Sequence, residues 1–155
     1  MNYEELLIEA DNTGLIVKEK NLIYNDGRLR GKRIAIRKNI PTLIKKACVL
    51  AEEIGHYHTT TIDILDQSSV LNRKLERSGR IWAYDKQIGL SGIIRGYQAR
   101  CQNCNELAEL LGVTEDFLHD ALRYYHEKYG VAAKIDGYVI MFEPSLAVME
   151  KIEEI

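Results

Sequence analysis

The stretch Leu50-Ala51-Glu52-Glu53-Ile54-Gly55-His56 sets two carboxylates and an imidazole within two turns of a helix. Leu43, Ala47, Leu50 and Ile54 recur at three- and four-residue spacing, which predicts an amphipathic helix from about Pro41 to Tyr57. Glu52 and His56 are four apart and stand one above the other on such a helix, with Glu53 one position round. This is the spacing of the H-E-x-x-H zinc-hydrolase helix, with Glu52 where the first His would be. A carboxylate oxygen also binds zinc. Glu52 and His56 are therefore candidate ligands and Glu53 the candidate general base. The same E-E-x-x-H pattern also stands on ordinary helix faces that are simply solvated. Tyr57 could steady an oxyanion, though a packing role suits it equally. His58, two after His56, points elsewhere on the helix and reads as an exposed histidine at its end.

The elements that must position this helix can be read from either side of it. Leu6, Leu7 and Ala10 predict a short helix over 3–11. Residues 15–19 read as a strand, and Leu22 to Tyr24 as a second leading into the turn Asn25-Asp26-Gly27. Residues 32–37 carry Ile34 and Ile36 on one face and read as a strand beside the cleft, where it could pair with an extended substrate. Pro41 suits a first helical turn. Thr59-Thr60-Thr61 ends the helix, 59–66 forms a connection, and Ser68 or Ser69 caps a further helix over 69–88. Gly79 inside that helix costs stability and would allow close packing against the motif helix.

Beyond it, 91–99 reads as a helix, and 106–111 and 114–125 as two helices around Gly112-Val113. This pair has a helix-turn-helix pattern, with Thr114 as N-cap. Glu115 and Asp116 make the start of its second helix acidic, the wrong charge for facing phosphates, so a packing unit or protein-binding surface is the better reading. Asp136-Gly137 predicts a hairpin joining 131–135 to 138–142, and the tail after Pro144 reads as a short helix. No repeat or linker interrupts the chain.

With 155 residues and a net charge of −2, the chain fits one domain and carries no general nucleic-acid or membrane footprint. The basic run Arg28, Arg30, Lys32, Arg33, Arg37 and Lys38 is interrupted by apolar residues and reads as a solvated strand edge. The acidic N-terminus and the lack of a long apolar run predict neither signal peptide nor membrane span. Three cysteines form no disulfide framework, and a cytoplasmic location with reduced thiols is expected. Cys101-Gln102-Asn103-Cys104 lacks a second ligand pair at zinc-site spacing, and Cys48 falls on the apolar side of the motif helix.

Leu50-Ala51-Glu52-Glu53-Ile54-Gly55-His56-Tyr57 closely resembles the active-site helix of the ImmA/IrrE zinc metallopeptidases, and within them the phage and mobile-element branch, where Glu often takes the first ligand position. Glu76-Arg77-Ser78-Gly79-Arg80-Ile81-Trp82-Ala83-Tyr84-Asp85 is similar to the family's downstream motif. The likeness continues through Asn105–Thr114 and Tyr124–Gly130 and so covers most of the chain. It implies an α+β fold: a small zincin-like metallopeptidase domain over 1–155. Its core at 1–90 would hold N-terminal strands and two motif-bearing helices, and 91–155 would be a helical and hairpin extension. It also implies Glu76 as third ligand to Zn2+ beside Glu52 and His56, with Asp85 in reserve. The implied activity is endopeptidase action on a helix-turn-helix repressor of a mobile element. Two other expectations stand beside it. One is a protein that antagonises such a repressor by binding, with a degraded metal site. The other is a DNA-binding regulator.

Overall fold

The computed structural model describes residues 1–60 and 69–152. The expected connection through Asp66 and the expected caps at Ser68 and Ser69 fall outside the described residues and side chains. The described chain is α+β, with six helices and two three-stranded sheets. It divides into two compact units, Met1–Gln87 and Ile88–Ile155, beside the internal boundary expected at 90. No helix among the described residues is long and apolar enough to cross a membrane.

In the first unit, α1 (Tyr3–Asn12) starts at a capping box, with the Asn2 side chain accepting from the Glu5 amide and the Glu5 carboxylate from that of Asn2. The strands β1 (Ile16–Lys20), β2 (Gly27–Arg30) and β3 (Arg33–Arg37) follow. Their order is β1-β3-β2, so β3 lies in the middle, parallel to β1 and antiparallel to β2. The hairpin turns at Gly31-Lys32, where Gly31 has φ +60, and not at Asn25-Asp26-Gly27 as expected.

The expected strand at Leu22–Tyr24 is absent for a topological reason. Having left β1, the chain must cross the end of β3 to reach β2. Arg37 holds that crossing. Its amide donates to the Asp26 carbonyl (2.7 Å), its guanidinium to those of Asn25 and Ile23, and its charge faces the Asp26 carboxylate. Ile23 and Tyr24 are left exposed.

The helix α2 (Leu43–Thr59) begins one residue after the cap Thr42, whose hydroxyl accepts from the Lys45 amide. Pro41 therefore precedes the helix instead of opening it. Leu43, expected on the apolar face, is exposed in that first turn, while Ala47, Leu50 and Ile54 are buried. They pack with Leu6 and Ala10 of α1 and with Ile34 and Ile36 of β3 to form the core. The helix α3 (Ser69–Gln87) lies along α2.

The second unit holds α4 (Gly89–Gln98), α5 (Cys104–Leu111), α6 (Glu115–Tyr129), β4 (Ala132–Ile135), β5 (Tyr138–Met141) and β6 (Ala147–Glu150). Asn103 and Thr114 cap α5 and α6, and Gly112 ends α5 in the left-handed region. Asp136-Gly137 makes the expected turn, both at positive φ. The tail is a strand and not a helix: β6 pairs with β5 over Ala147–Glu150, where alternate residues meet the sheet with period two. Cys101 and Cys104 are free thiols, half-buried, and Cys48 is buried.

Candidate functional site

An open cleft of about 760 Å³ lies between β2, α2 and α3 of the first unit. Glu53, His56 and Tyr57 line it from α2 with Thr60 at its C-cap, Leu75 and Glu76 from α3, and Gly27, Arg28 and Leu29 from β2 with Lys32 of the turn.

Two glycine contacts let α2 and α3 come together. Gly55 sits directly on the backbone carbonyl of Gly79, and a side chain at Gly79 would overlap the His56 ring. Gly79 thus makes the close helix approach expected of it. With that ring seated against α3, His56 Nε2 lies 3.3 Å from Glu76 Oε2. His56 and Glu76, chosen from separate motifs, are brought together.

Glu53 is placed by β2. A Cβ on Gly27 would come within 2.8 Å of Glu53 Oε1 and 2.7 Å of Val49 Cγ1. Only a glycine lets the strand backbone lie against this carboxyl. Glu53 is 9 % exposed, one of two buried polar side chains among the described residues. Burial, then the charges of Glu76 and Glu52, push its pKa up to about 7. A carboxyl held there can both take and return a proton near neutral pH.

The other predicted residues fall differently. Glu52 is half-buried and close enough for its charge to act on Glu53, but it is not among the residues lining the cleft. Asp85, the reserve ligand, stands nine residues after Glu76 on the same continuous helix. At about 100° and 1.5 Å per residue, that turns it to the opposite side of α3 and carries it about 13 Å away. Asp85 therefore cannot replace Glu76. His58 stacks on Trp82 (centroids 5.0 Å apart, 23° between planes) and is exposed, and Tyr57 faces the cleft. Among the described residues, no group of three His, Cys, Asp or Glu side chains is arranged to hold a metal. His56 and Glu76 supply two converging donors of the three expected.

No protein-family model matches the chain, and neither does any curated protein or solved structure.

The strand at the cleft is β2, not the expected 32–37 strand. β3 is central and both its edges are paired, whereas β2 pairs with β3 alone among the described residues. Gly27, Arg28 and Lys32 are thus site residues that sequence reasoning missed. The signal was present as the alternation Gly27-Arg28-Leu29-Arg30, but the Asn-Asp-Gly turn motif drew the strand boundary away from it.

Proposed function

We propose that the chain is a peptidase acting on an extended segment of a partner protein, with Glu53 as general base. The observation that carries this is a buried carboxyl lining an open cleft, under a strand edge unpaired among the described residues and beside the His56–Glu76 pair. In this reading the substrate adds as a strand along β2, so that its backbone crosses the cleft over Glu53. Glu53 takes a proton from the attacking water and returns it to the leaving amine. The likeness of the two motifs to the ImmA/IrrE zinc metallopeptidases supports a zincin-like site and a target among the helix-turn-helix repressors of phage or other mobile elements.

His56 and Glu76 would hold Zn2+, with Glu52 as third donor once its side chain turns to the cleft. When bound, zinc polarises the carbonyl and acidifies the water. One imidazole and two carboxylates leave it a weaker Lewis acid than a two-histidine set, and slow, narrowly directed turnover follows.

A second reading is favoured by one observation, that among the described residues two donors converge and no group of three does. In it the same cleft binds the repressor and antagonises it without cleavage. Glu53→Gln separates the two. For a peptidase, target binding is retained while cleavage falls by roughly 10²–10⁴. His56→Ala should abolish zinc uptake measured by metal analysis. A protein that takes up no zinc, and whose Glu53→Gln form relieves repression as well as the wild type does, is an antagonist.

A further inference from the structure

The outward face of the first sheet carries charges of one sign. Register places Ile16, Arg33 and Arg30 side by side, then Lys18, Ala35 and Arg28, then Lys20 beside Arg37. Six of these eight side chains are cationic, and none is acidic. Arg37 is taken up by Asp26. Lys18, Lys20, Arg28, Arg30 and Arg33 are exposed and make no ion pair among the described residues. Arg30 directly opposes Arg33 across the hairpin, a like-charge pair that weakens the sheet it sits in. A face that is merely solvated needs no such cost, since mixed signs would wet it equally well. The sheet gains from this face only when something anionic covers it.

The two rows differ in reach. Arg28 and Arg30 lie on the strand whose outer edge no described residue pairs, and Arg28 and Lys32 also line the cleft. A strand added to β2 must follow its pleat, whichever way it runs. Alternate side chains then fall beside Arg28 and Arg30 on the outward face, and those between fall beside Gly27 and Leu29, toward Glu53.

We infer that the site selects extended segments with acidic residues at every second position and small or apolar ones between, read by Arg28 and Arg30 as the segment pairs with β2. This rests on the strand-pairing part of the peptidase reading and adds the substrate class. An acidic protein segment fits better than a nucleic acid. The edge offers a row of backbone donors and acceptors that a peptide can pair with, and the described face carries no aromatic platform for bases.

The test is fluorescence anisotropy with the full chain in chelator, so that binding is measured apart from hydrolysis. Four labelled probes are compared at physiological salt: an alternating Asp-Val peptide, its Asn-Val counterpart, a peptide with the same Asp and Val residues in two blocks, and a short DNA duplex. The alternating acidic peptide should bind about fivefold to tenfold tighter than either other peptide, and DNA more weakly still. Arg28→Gln with Arg30→Gln should remove that preference, and Arg28→Asp with Arg30→Asp should transfer it to a Lys-Val peptide. Because these side chains are exposed and Arg30 opposes Arg33, the variants should fold and melt no lower than the wild type does.

Equal binding of the Asp and Asn peptides, equal binding of the alternating and blocked peptides, or no peptide binding overturns the inference. Tighter binding of the duplex, lost with the same arginines, assigns the face to nucleic acid instead. Acidic-peptide binding without any cleavage under zinc leaves the inference standing and removes the peptidase. Cleavage that ignores the acidic pattern does the reverse.

Discussion

The two hairpins share a design and differ in chemistry. In each, two short strands meet at a two-residue turn entered at positive φ, Gly31-Lys32 in one and Asp136-Gly137 in the other. Beside the first turn Arg30 faces Arg33, while beside the second Ile135 faces Tyr138. The difference extends to the units that hold them. Residues 1–87 carry fifteen Lys or Arg against twelve Asp or Glu, and 88–155 carry six against eleven. In the second unit side-chain caps open α5 and α6, Gly112 closes α5, and apolar Leu107, Leu111, Phe117, Leu118 and Ile140 fill the core, although α4 also carries buried glycines, Gly92 and Gly96, inside the helix. In the first, a carboxyl is buried in the cleft where α2 and α3 meet on Gly55 and Gly79, and like charges oppose each other on the outward face of the sheet. A buried carboxyl is a departure from local consistency of the kind expected at functional sites.

The largest effect should come from the helix contact. Gly55→Ala drives a methyl into the Gly79 carbonyl, which is backbone and cannot step aside. A loss of about 3 kcal/mol is expected by urea denaturation. Gly92→Ala in α4 is the matched control. There the nearest atom, Leu111 Cδ2 at 3.3 Å, is the end of a movable side chain, and the gain in helix propensity offsets the crowding to within about 1 kcal/mol. Similar losses from both would remove the distinction between the units.

The next effect is pH-dependent. Glu53 has a folded-state pKa of about 7 against an ordinary 4.5, so between those values the folded protein holds a proton that the unfolded chain releases. Stability from this group is therefore present at low pH and lost as pH rises through about 7. In metal-free protein Glu53→Gln should be more stable than wild type by about 2–3 kcal/mol at pH 8, with the advantage shrinking toward pH 4.5. Chemical denaturation at several pH values measures it, and a pH-independent difference would mean that the burial of Glu53 is not what matters.

The smallest effect concerns the hairpin. Arg30→Glu replaces a like-charge pair with an opposite one and should stabilise the first unit by about 0.5 kcal/mol at low salt, less at high salt. No gain would mean that the charges on this face are already compensated.

Some of this was legible in the chain and some was not. Helices with a 3.6-residue apolar repeat were found close to their observed ends, because that repeat is a local property of 43–59, 69–87 and 104–129. Thr114 as cap and Asp136-Gly137 as turn were read for the same reason. The Leu22–Tyr24 strand and the terminal helix were misread because a short apolar run takes its structure from whatever lies beside it. For 22–24 that is the Arg37 side chain and no described strand, and for 147–150 it is β5.

Residue types and spacing nominated Glu52, Glu53 and His56 and predicted the helix that holds them, and the resemblance of 76–85 to a family motif added Glu76. Tertiary structure decided the rest. It brought Glu76 to His56 through a glycine contact, turned Asp85 away, and laid Gly27 over Glu53 to bury it. It also put β3 inside the sheet, leaving β2 with an edge unpaired among the described residues and Arg28 beside the cleft. The physical reason is range. Spacing along a helix fixes which neighbours share a face, but which strand becomes an edge, and which carboxyl loses its water, depends on segments far apart in the chain.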